Sequence, residues 1–231
     1  MIKALSLFQG VDDATVSDFA HHSQVMDLPK GSTLFLQDEP AEWFYVVISG
    51  WIKLFRESLE GNEAVIDMAT TGHLFGETAV LEDDTHSFGA AAVEQSRVLR
   101  LPSALLKKAI KDDNKMALAM LTSLSRHRKR QTREIESLTL QNASQRIGCF
   151  LLRLCTLNSA EPIEFKLPYD KSLIAARLGM KSETFSRALN KLRLETDITV
   201  KGSTVKIPCM ESLSHYACSA CSNEFPCSDL Y

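Results

Sequence analysis

Several features that would place this chain in a special class are scarce or absent from its 231 residues. With 10 glycines and 7 prolines it is not a collagen-like or low-complexity chain, and its 45% hydrophobic and 24% charged residues exclude wholesale disorder. No apolar run approaches the roughly 18–20 residues that a membrane span needs. The opening segment Met1–Phe8 lacks a signal-peptide core and cleavage site, so we expect a cytoplasmic protein without a membrane partner.

Cysteine is absent before Cys149, and all six cysteines lie from there onward. A disulfide framework is not expected in the cytoplasm. Cys149 and Cys155 lie in an apolar helical stretch and are interpreted as buried apolar side chains. The chain shows no nucleophile with a base, no phosphate-cradling glycine loop and no suitably spaced pair of carboxylates. The sequence therefore favours a binding protein over an enzyme.

The net charge of -3 hides an uneven distribution along the chain. Residues 1–125 carry 10 Lys+Arg against 18 Asp+Glu, and residues 126–206 carry 16 against 8. Residues 207–231 add three acids and no base. An acidic front joined to a basic back indicates two tasks in one chain, although charge alone leaves chance asymmetry open.

Six of the ten glycines lie between Gly31 and Gly89 and separate short runs of aromatic and β-branched residues. Short strands divided by glycine turns are typical of a β-sandwich or roll. The predicted strands cover residues 33–36, 43–48, 51–56, 64–68 and 90–93.

From Asn114 to about Arg146 the chain has neither glycine nor proline, which predicts one long helix. Apolar residues at helical spacing suit a coiled-coil-like seam with a second copy of the chain. The predicted seam consists of Ala117, Leu121, Leu124, Ile135 and Leu138. The basic run 126–133 interrupts it, so facing copies would repel and dimerisation would be conditional. Alternatively, the arginines snorkel outward around a narrow apolar stripe.

A further helix is expected over about 141–157, followed by a proline-bounded connector at 161–168. Beyond it, the spacing predicts a helix-turn-helix. Residues 172–179 form a short amphipathic helix that glycine ends, and Ser182 is a good N-cap for a second helix over Glu183–Leu194. In the second helix, Phe185, Leu189 and Leu192 recur at a spacing that would face the core.

The opposite face of this second helix would meet the major groove of DNA. Arg187 can bind guanine O6 and N7, and Glu183 can accept from a cytosine amino group, which favours sequence readout over attraction to phosphate alone. A hairpin over Ile198–Ile207 is suited to be a wing on the DNA backbone. The alternative is a three-helix domain with a solvated charged face. The candidate DNA-binding residues are Lys181, Ser182, Glu183, Thr184, Ser186, Arg187, Asn190, Lys191 and Lys201.

Glu183–Arg187 resembles the recognition helix of the Crp/Fnr family of bacterial transcription factors, in its Fnr and Dnr branch. Residues 44–50 resemble the family's roll motif, residues 75–77 its cassette, and residues 116–146 the dimer helix and hinge of Dnr-type regulators. The resemblance covers nearly the whole chain.

That resemblance implies an α+β fold with a cyclic-nucleotide-binding-like β-roll over residues 1–112 and a dimerisation helix over 113–140. A winged helix-turn-helix over 141–208 and a cysteine-containing tail over 209–231 would follow. It also implies a homodimer that binds near-palindromic DNA with TTGAT-like half-sites and works with RNA polymerase. Half-sites of a dimer lie about 10 bp apart.

The same resemblance marks a candidate effector pocket formed by Gly76, Glu77, Thr78, His86 and Ser87. Members that bind cyclic AMP carry Arg-Ser where this chain has His86-Ser87. A histidine is mostly neutral at pH 7 and lacks the planar guanidinium fork, so we do not expect cyclic AMP binding of the usual kind. The simpler interpretation of Glu77 is a structural role in a turn.

Three thiols lie close together near the chain end, at Cys218, Cys221 and Cys227. A Cys-x2-Cys pair lets two sulfurs reach one metal centre. The tail resembles the C-terminal cysteines of Bacillus-type Fnr, with one extra residue in the second spacing, which implies a [4Fe–4S] cluster. Cys209 is the first candidate for a fourth ligand, followed by His215, Glu224 and Asp229.

Three other interpretations of these thiols stay open: they bind zinc, they are redox-active, or they have no such role. The resemblance to Dnr-type regulators adds heme as an alternative cofactor. With little apolar content, the tail would gain little from folding without a crosslink. We expect a regulator that responds to a redox or diatomic-gas signal, oxygen or nitric oxide. The rivals are a heme-dependent nitric-oxide regulator and a nucleotide-binding module whose second domain contacts proteins.

Overall fold

A computed structural model describes residues 2–82, 84–155 and 162–222 of the chain. The chain divides into two compact units, residues 1–128 and 129–231. Within the described ranges, no helix has the length and hydropathy that a membrane crossing requires.

Among the described residues of the first unit, eight short strands form two antiparallel four-stranded sheets. The strands are β1 (Gln24–Leu28), β2 (Thr33–Phe35), β3 (Trp43–Ser49), β4 (Ile52–Glu57), β5 (Glu63–Ala69), β6 (Leu74–Phe75), β7 (Gly89–Ala92) and β8 (Ser96–Pro102). One sheet has the order β1-β8-β3-β6 and the other the order β2-β7-β4-β5. The predicted roll is therefore confirmed, although the sequence did not predict β1, β6 and β8.

Short helices complete the first unit, among them α1 (Asp13–His22), α2 (Ser103–Asp112) and three 3-10 turns. Asp12 caps α1 by accepting a hydrogen bond from the Ala14 amide at 3.1 Å. On the buried side of α1, the Phe19 ring meets Phe8 and Phe44 edge to face at centroid distances of 5.0 and 6.0 Å. These contacts join α1 to the same apolar core as β3.

The long helix α3 (Asn114–Leu140) buries some of its apolar residues in a core and exposes others. Met116 and Met120 are buried in the core of the first unit, and Leu124 is half-buried against that core. Leu124, a predicted seam residue, therefore lies against the core of its own chain. The remaining apolar residues of α3 that are at least two-fifths exposed are Leu118, Leu121, Ile135, Leu138 and Leu140, whereas the predicted seam residue Ala117 is half-buried.

Helix α3 ends at Leu140 rather than near Arg146, because the next residues form a helix cap. The Gln145 amide donates to Asn142 Oδ1 at 3.1 Å, and the Asn142 amide donates to Gln145 Oε1 at 2.9 Å. This reciprocal capping box begins a new helix, α4 (Ala143–Cys155).

The second unit combines helices with a three-stranded sheet. After α4 it contains β9 (Ile163–Lys166), α5 (Lys171–Arg177), α6 (Ser182–Thr196), β10 (Thr199–Lys201), β11 (Thr204–Ile207) and α7 (Met210–Cys218). The sheet order is β10-β11-β9, and both pairings are antiparallel. Residues 163–166 were expected as part of a connector, but they form an edge strand of the sheet.

Helix α7 packs into the core of this unit, although the sequence predicted a tail with little reason to fold. Leu213 and Ala217 are fully buried. A Cβ atom at Gly148 of α4 would lie only 2.9 Å from the Ala217 Cβ, so α4 and α7 touch where glycine leaves room. The start of the expected tail, at residues 210–218, thus belongs to the second unit's core.

Candidate nucleic-acid interface

Helices α5 and α6 form a helix-turn-helix around a glycine. The Gly179 backbone has a φ of +65°, a left-handed conformation that glycine adopts without steric cost. The Met180 amide donates to the Ala175 carbonyl at 3.0 Å, which closes the end of α5. Lys181 occupies the N-cap position of α6, and Ser182 is the first helical residue, so the predicted capping role of Ser182 is wrong.

Helix α6 buries one side and exposes the other, because its apolar residues recur at helical spacing. Phe185, Leu189 and Leu192 lie in the core of the second unit. Thr184 is half-buried. The exposed residues at the predicted groove-facing positions are Lys181, Ser182, Glu183, Ser186, Arg187, Asn190 and Lys191.

The exposed side chains of α6 differ in their contacts. Ser186 donates to the Ser182 carbonyl at 3.0 Å, and Arg193 donates to Asn190 Oδ1 at 3.4 Å. Glu183 and Arg187 form no ion pair among the described residues, although they lie four residues apart. Their charged groups therefore point to solvent, where they can contact another molecule.

Strands β10 and β11 form the predicted hairpin next to α6. Lys201 pairs with Thr204 at its tip, and Gly202 takes the positive φ of +60° that the turn needs. The Leu167 amide donates to the Ser203 carbonyl at 2.8 Å, which anchors the tip to the chain after β9. Lys201 is exposed at the tip, where it can approach a phosphate.

The structure brings part of the candidate effector pocket together inside the roll. Glu77 and His86 are both 2% exposed, and a Cβ atom at Gly76 would lie 3.4 Å from His86 Cε1. Thr78 is half-buried, whereas Ser87 is exposed. The His86 ring stacks on Phe35 with a centroid distance of 3.6 Å, so an aromatic stack occupies the space beside Gly76.

Burial lowers the pKa of His86 from 6.5 to about 4, against the opposing charge of the nearby Glu39. The ring is therefore neutral at pH 7 and offers no positive charge to a cyclic phosphate. Between pH 6.5 and about 4 the unfolded chain takes up a proton that the folded chain refuses, so stability falls as the pH decreases.

We expect His86→Phe to remove this part of the acid sensitivity. Thermal unfolding near neutral pH and at about pH 5 should show a larger drop for the wild type than for His86→Phe. His21, which is exposed on α1, supplies the matched control as His21→Phe. Equal drops for the wild type and His86→Phe would contradict the buried neutral ring.

The four candidate metal ligands do not form one cluster. Cys209 and Cys218 lie at opposite ends of α7, about 13 Å apart at a helical rise of 1.5 Å per residue. They cannot share one metal centre while α7 stays folded. Cys227 lies outside the described residues, and among those described no three Cys, His, Asp or Glu side chains converge to hold a metal ion.

The structure instead brings Cys221 near Cys149. Burial raises the pKa of the Cys149 thiol, with Arg153 opposing that shift and Cys221 adding to it through its charge. Sequence reasoning interpreted Cys149 as a buried apolar side chain and missed this neighbour, because only the fold brings α4 and the chain end together. Cys155 is the simpler case, since burial alone raises its pKa to about 12.

Residues 217–222, here called the cysteine segment, bind the junction between α3 and α4. Gln145 Nε2 donates to Ser219 Oγ at 2.9 Å, and the Ser222 amide donates to Glu136 Oε1 at 2.9 Å. Hydrogen bonds from Ser222 lower the pKa of Glu136.

A further contact holds the start of the cysteine segment. Gln141 Nε2 donates to the Ala217 carbonyl at 3.4 Å. A change at this segment would therefore act directly on α3 and α4.

Both units match known protein families. Residues 25–113 match the cyclic nucleotide-binding domain, and residues 145–216 match the Crp-like helix-turn-helix domain. The fumarate and nitrate reduction regulatory protein of Vibrio cholerae is 30% identical over 183 residues, which cover 78% of this chain and 73% of the relative.

Solved structures agree with these matches. A protein of Ruegeria pomeroyi, described as a candidate cyclic nucleotide binding protein, is 34% identical with a TM-score of 0.66, covering 94% of this chain and 95% of the other. DNR from Pseudomonas aeruginosa is 30% identical with a TM-score of 0.51, covering 92% and 94% respectively.

Proposed function

Because this chain belongs to the Crp/Fnr family of DNA-binding transcription regulators, we propose that it binds near-palindromic DNA as a homodimer and reads TTGAT-like half-sites with α6. Both matched domains are those of regulators rather than enzymes. The observation that carries this proposal is the exposed face of α6, where Glu183 and Arg187 point to solvent while Phe185 holds the helix to the core.

The residues of this face divide into two roles. Arg187 can donate two hydrogen bonds to guanine, and Glu183 can accept one from cytosine, so they specify the sequence. Lys181 and Lys201 can contact phosphates, which contributes affinity without specificity. RNA polymerase is the proposed protein partner of the DNA-bound dimer.

A competition experiment tests the DNA-binding proposal. The full-length protein is titrated into a labelled duplex with two TTGAT-like half-sites, with unlabelled operator or scrambled duplex as competitor, at several salt concentrations. We expect the operator to compete at least about tenfold better than the scrambled duplex. Equal competition at all salt concentrations would reject sequence-specific binding, and a nucleotide-binding module with a protein partner would then be favoured.

The exposed side of α3 supports the proposed homodimer. Leu121 and Ile135 are separated by 14 residues, so they occupy the same position of a heptad repeat, and Leu118 lies one turn before Leu121. All three are more than three-fifths exposed in the single chain. A second copy of α3 would cover them, while Arg128, midway between Leu121 and Ile135, would bring like charges together.

We expect Leu121→Glu to shift the protein from dimer to monomer, because two buried carboxylates would face each other across the seam. Sedimentation or light scattering at micromolar concentration measures this shift. Leu59→Glu is the matched control, since Leu59 is exposed on the roll far from α3 in sequence. A Leu121→Glu protein that remains dimeric would place the dimer contact elsewhere.

For the signal, we propose a redox or diatomic-gas input at the cysteine segment rather than cyclic AMP in the roll. The neutral His86 ring, stacked on Phe35, supports the proposal that the roll does not bind cyclic AMP in the usual way. Thiols suit an iron–sulfur cluster or zinc, and Cys218, Cys221 and Cys227 are the proposed ligands. When bound, an iron–sulfur cluster supplies electron transfer and reactivity toward oxygen or nitric oxide.

The described residues do not supply a complete set of metal ligands. They show instead how the cysteine segment is attached to α3 and α4. Glu136 and Gln145 hold the cysteine segment against α3 and α4. The thiol that lies next to this segment is Cys149 and not Cys209, because the length of α7 separates Cys209 from Cys218. A modification of the cysteine segment would therefore alter the junction between the proposed dimer helix and the DNA-binding unit.

Metal analysis after purification without oxygen tests the signal proposal. We expect iron and sulfide in the wild type and in Cys209→Ser, and loss of both in Cys221→Ser. Zinc without sulfide would replace the cluster with a zinc site, and a heme absorption band would favour the heme alternative. A metal-free wild type that still binds its operator would reject a metal-based sensor.

A further inference from the structure

A bidentate ion pair connects the end of α3 to the helix-turn-helix. Arg177, the last residue of α5, donates from Nη1 to Glu134 Oε1 at 2.6 Å and from Nη2 to Glu134 Oε2 at 3.1 Å. The two side chains are only 17% and 31% exposed. A forked pair in this setting fixes both distance and orientation, and water screens it less than a surface pair.

A close apolar contact lies one helical turn farther along α3. Leu138 Cδ2 is 3.1 Å from the position that a Cβ atom would take at Gly179. Gly179 is the glycine whose left-handed backbone forms the turn between α5 and α6. Leu138 therefore packs on the turn itself, and a side chain at position 179 would push against it.

We propose that these two contacts, here called the clamp, set the spacing between half-sites that the dimer accepts. The clamp consists of the Glu134–Arg177 pair and the Leu138–Gly179 contact, and it holds the turn before α6 against the proposed dimer helix. Its residues are positioning residues, since they lie outside the α6 face that meets DNA. The inference rests on the proposed dimeric DNA binding.

The position of the clamp explains why it affects spacing rather than base readout. Sequence readout depends on the exposed face of α6, whereas the clamp residues lie on α3, on α5 and in the turn before α6. The separation between the two recognition helices of a dimer depends on the position at which each is held relative to the helix that pairs the subunits. Residues 129–140 of α3 belong to the same compact unit as α5 and α6, as this requires.

Operators that differ only in spacing test the clamp. Identical half-sites are placed at centre-to-centre distances of about 9, 10 and 11 bp, and a single half-site duplex serves as reference. Binding is measured for the wild type, Glu134→Gln and the charge swap Glu134→Arg/Arg177→Glu. Glu195→Gln is the matched control, because it removes the same charge from an exposed position at the end of α6.

We expect the wild type and Glu195→Gln to prefer one spacing by about tenfold or more, a typical size for coupling between sites. Glu134→Gln should lose most of that preference while it keeps the preference for its half-site over a scrambled one. The charge swap should restore part of the spacing preference. Affinity for the single half-site should change less than about threefold in every variant.

Separate results would reject the inference and the function on which it rests. A wild type with no preference among sequences rejects the proposed DNA readout. A wild type with a clear spacing preference that Glu134→Gln fully retains overturns the clamp. Thermal unfolding is measured for each variant, and if Glu134→Gln does not fold, Arg177→Lys decides, because it keeps the positive charge but loses the forked geometry of the pair with Glu134.

Discussion

Arg187→Ala is expected to weaken operator binding by about 1–3 kcal/mol and to remove the preference for guanine at one position of each half-site. The guanidinium is exposed on α6 and forms no ion pair among the described residues, so the variant should leave the fold intact. Binding to operators with each of the four bases at that position measures both effects.

A matched variant separates base readout from phosphate contact. Lys201→Ala removes a charge from the hairpin tip and should weaken binding to all sequences alike, with a reduced dependence on salt. If Arg187→Ala instead behaved like Lys201→Ala, Arg187 would contact a phosphate. Sequence readout by α6 would then have to come from Glu183 or another side chain.

Leu213→Ala is expected to destabilise the second unit by about 2–5 kcal/mol, because it leaves a cavity where a fully buried side chain packed. The loss should appear as a lower midpoint in denaturant unfolding. The same variant should weaken DNA binding only near the unfolding transition, since Leu213 lies away from the exposed face of α6.

An exposed leucine provides the control for this effect. Leu194 is 85% exposed on α6, and Leu194→Ala should change stability by less than about 0.5 kcal/mol. If Leu213→Ala were equally mild, residues 210–218 would not contribute to the core. The structural assignment of α7 to the second unit would then be wrong.

The helix-turn-helix could be predicted from sequence because local signals agreed with each other. Gly179 ended the first helix, and Phe185, Leu189 and Leu192 marked one face of the second at helical spacing. The start of α6 moved by one residue, to Ser182, which is the usual uncertainty of helix ends. The roll was predictable for a similar reason, since glycines separate its β-branched runs.

Helix α7 and strand β9 were missed because tertiary contacts stabilise them. In α7 only Leu213 and Ala217 are buried apolar residues, so the segment shows a weak helical pattern by itself. Strand β9 has four residues between two prolines and pairs along one edge with β11. Such elements become visible only when the surface that covers them is known.

The face of α3 could not be chosen from the sequence because apolar residues occur on several of its sides. Leu121 and Leu124 are three residues apart and both fit a helical seam, yet the first is exposed and the second packs on the first unit's core. The proximity of Cys149 and Cys221 was hidden for another reason. The two thiols are 72 positions apart in the sequence, and the spacing of residues carries no signal for a contact over that separation.

Gly148 imposes a restriction on how the sequence of this region can change over time. Its missing side chain is the space into which Ala217 fits, so a methyl group gained at position 148 requires a smaller residue or a shifted helix opposite. Among natural variants of this chain, the two positions should therefore change together rather than independently. A larger residue at position 148 alone would push Ala217 and the cysteine segment away from α4. Cys218 and Cys221 would then move although no cysteine had changed.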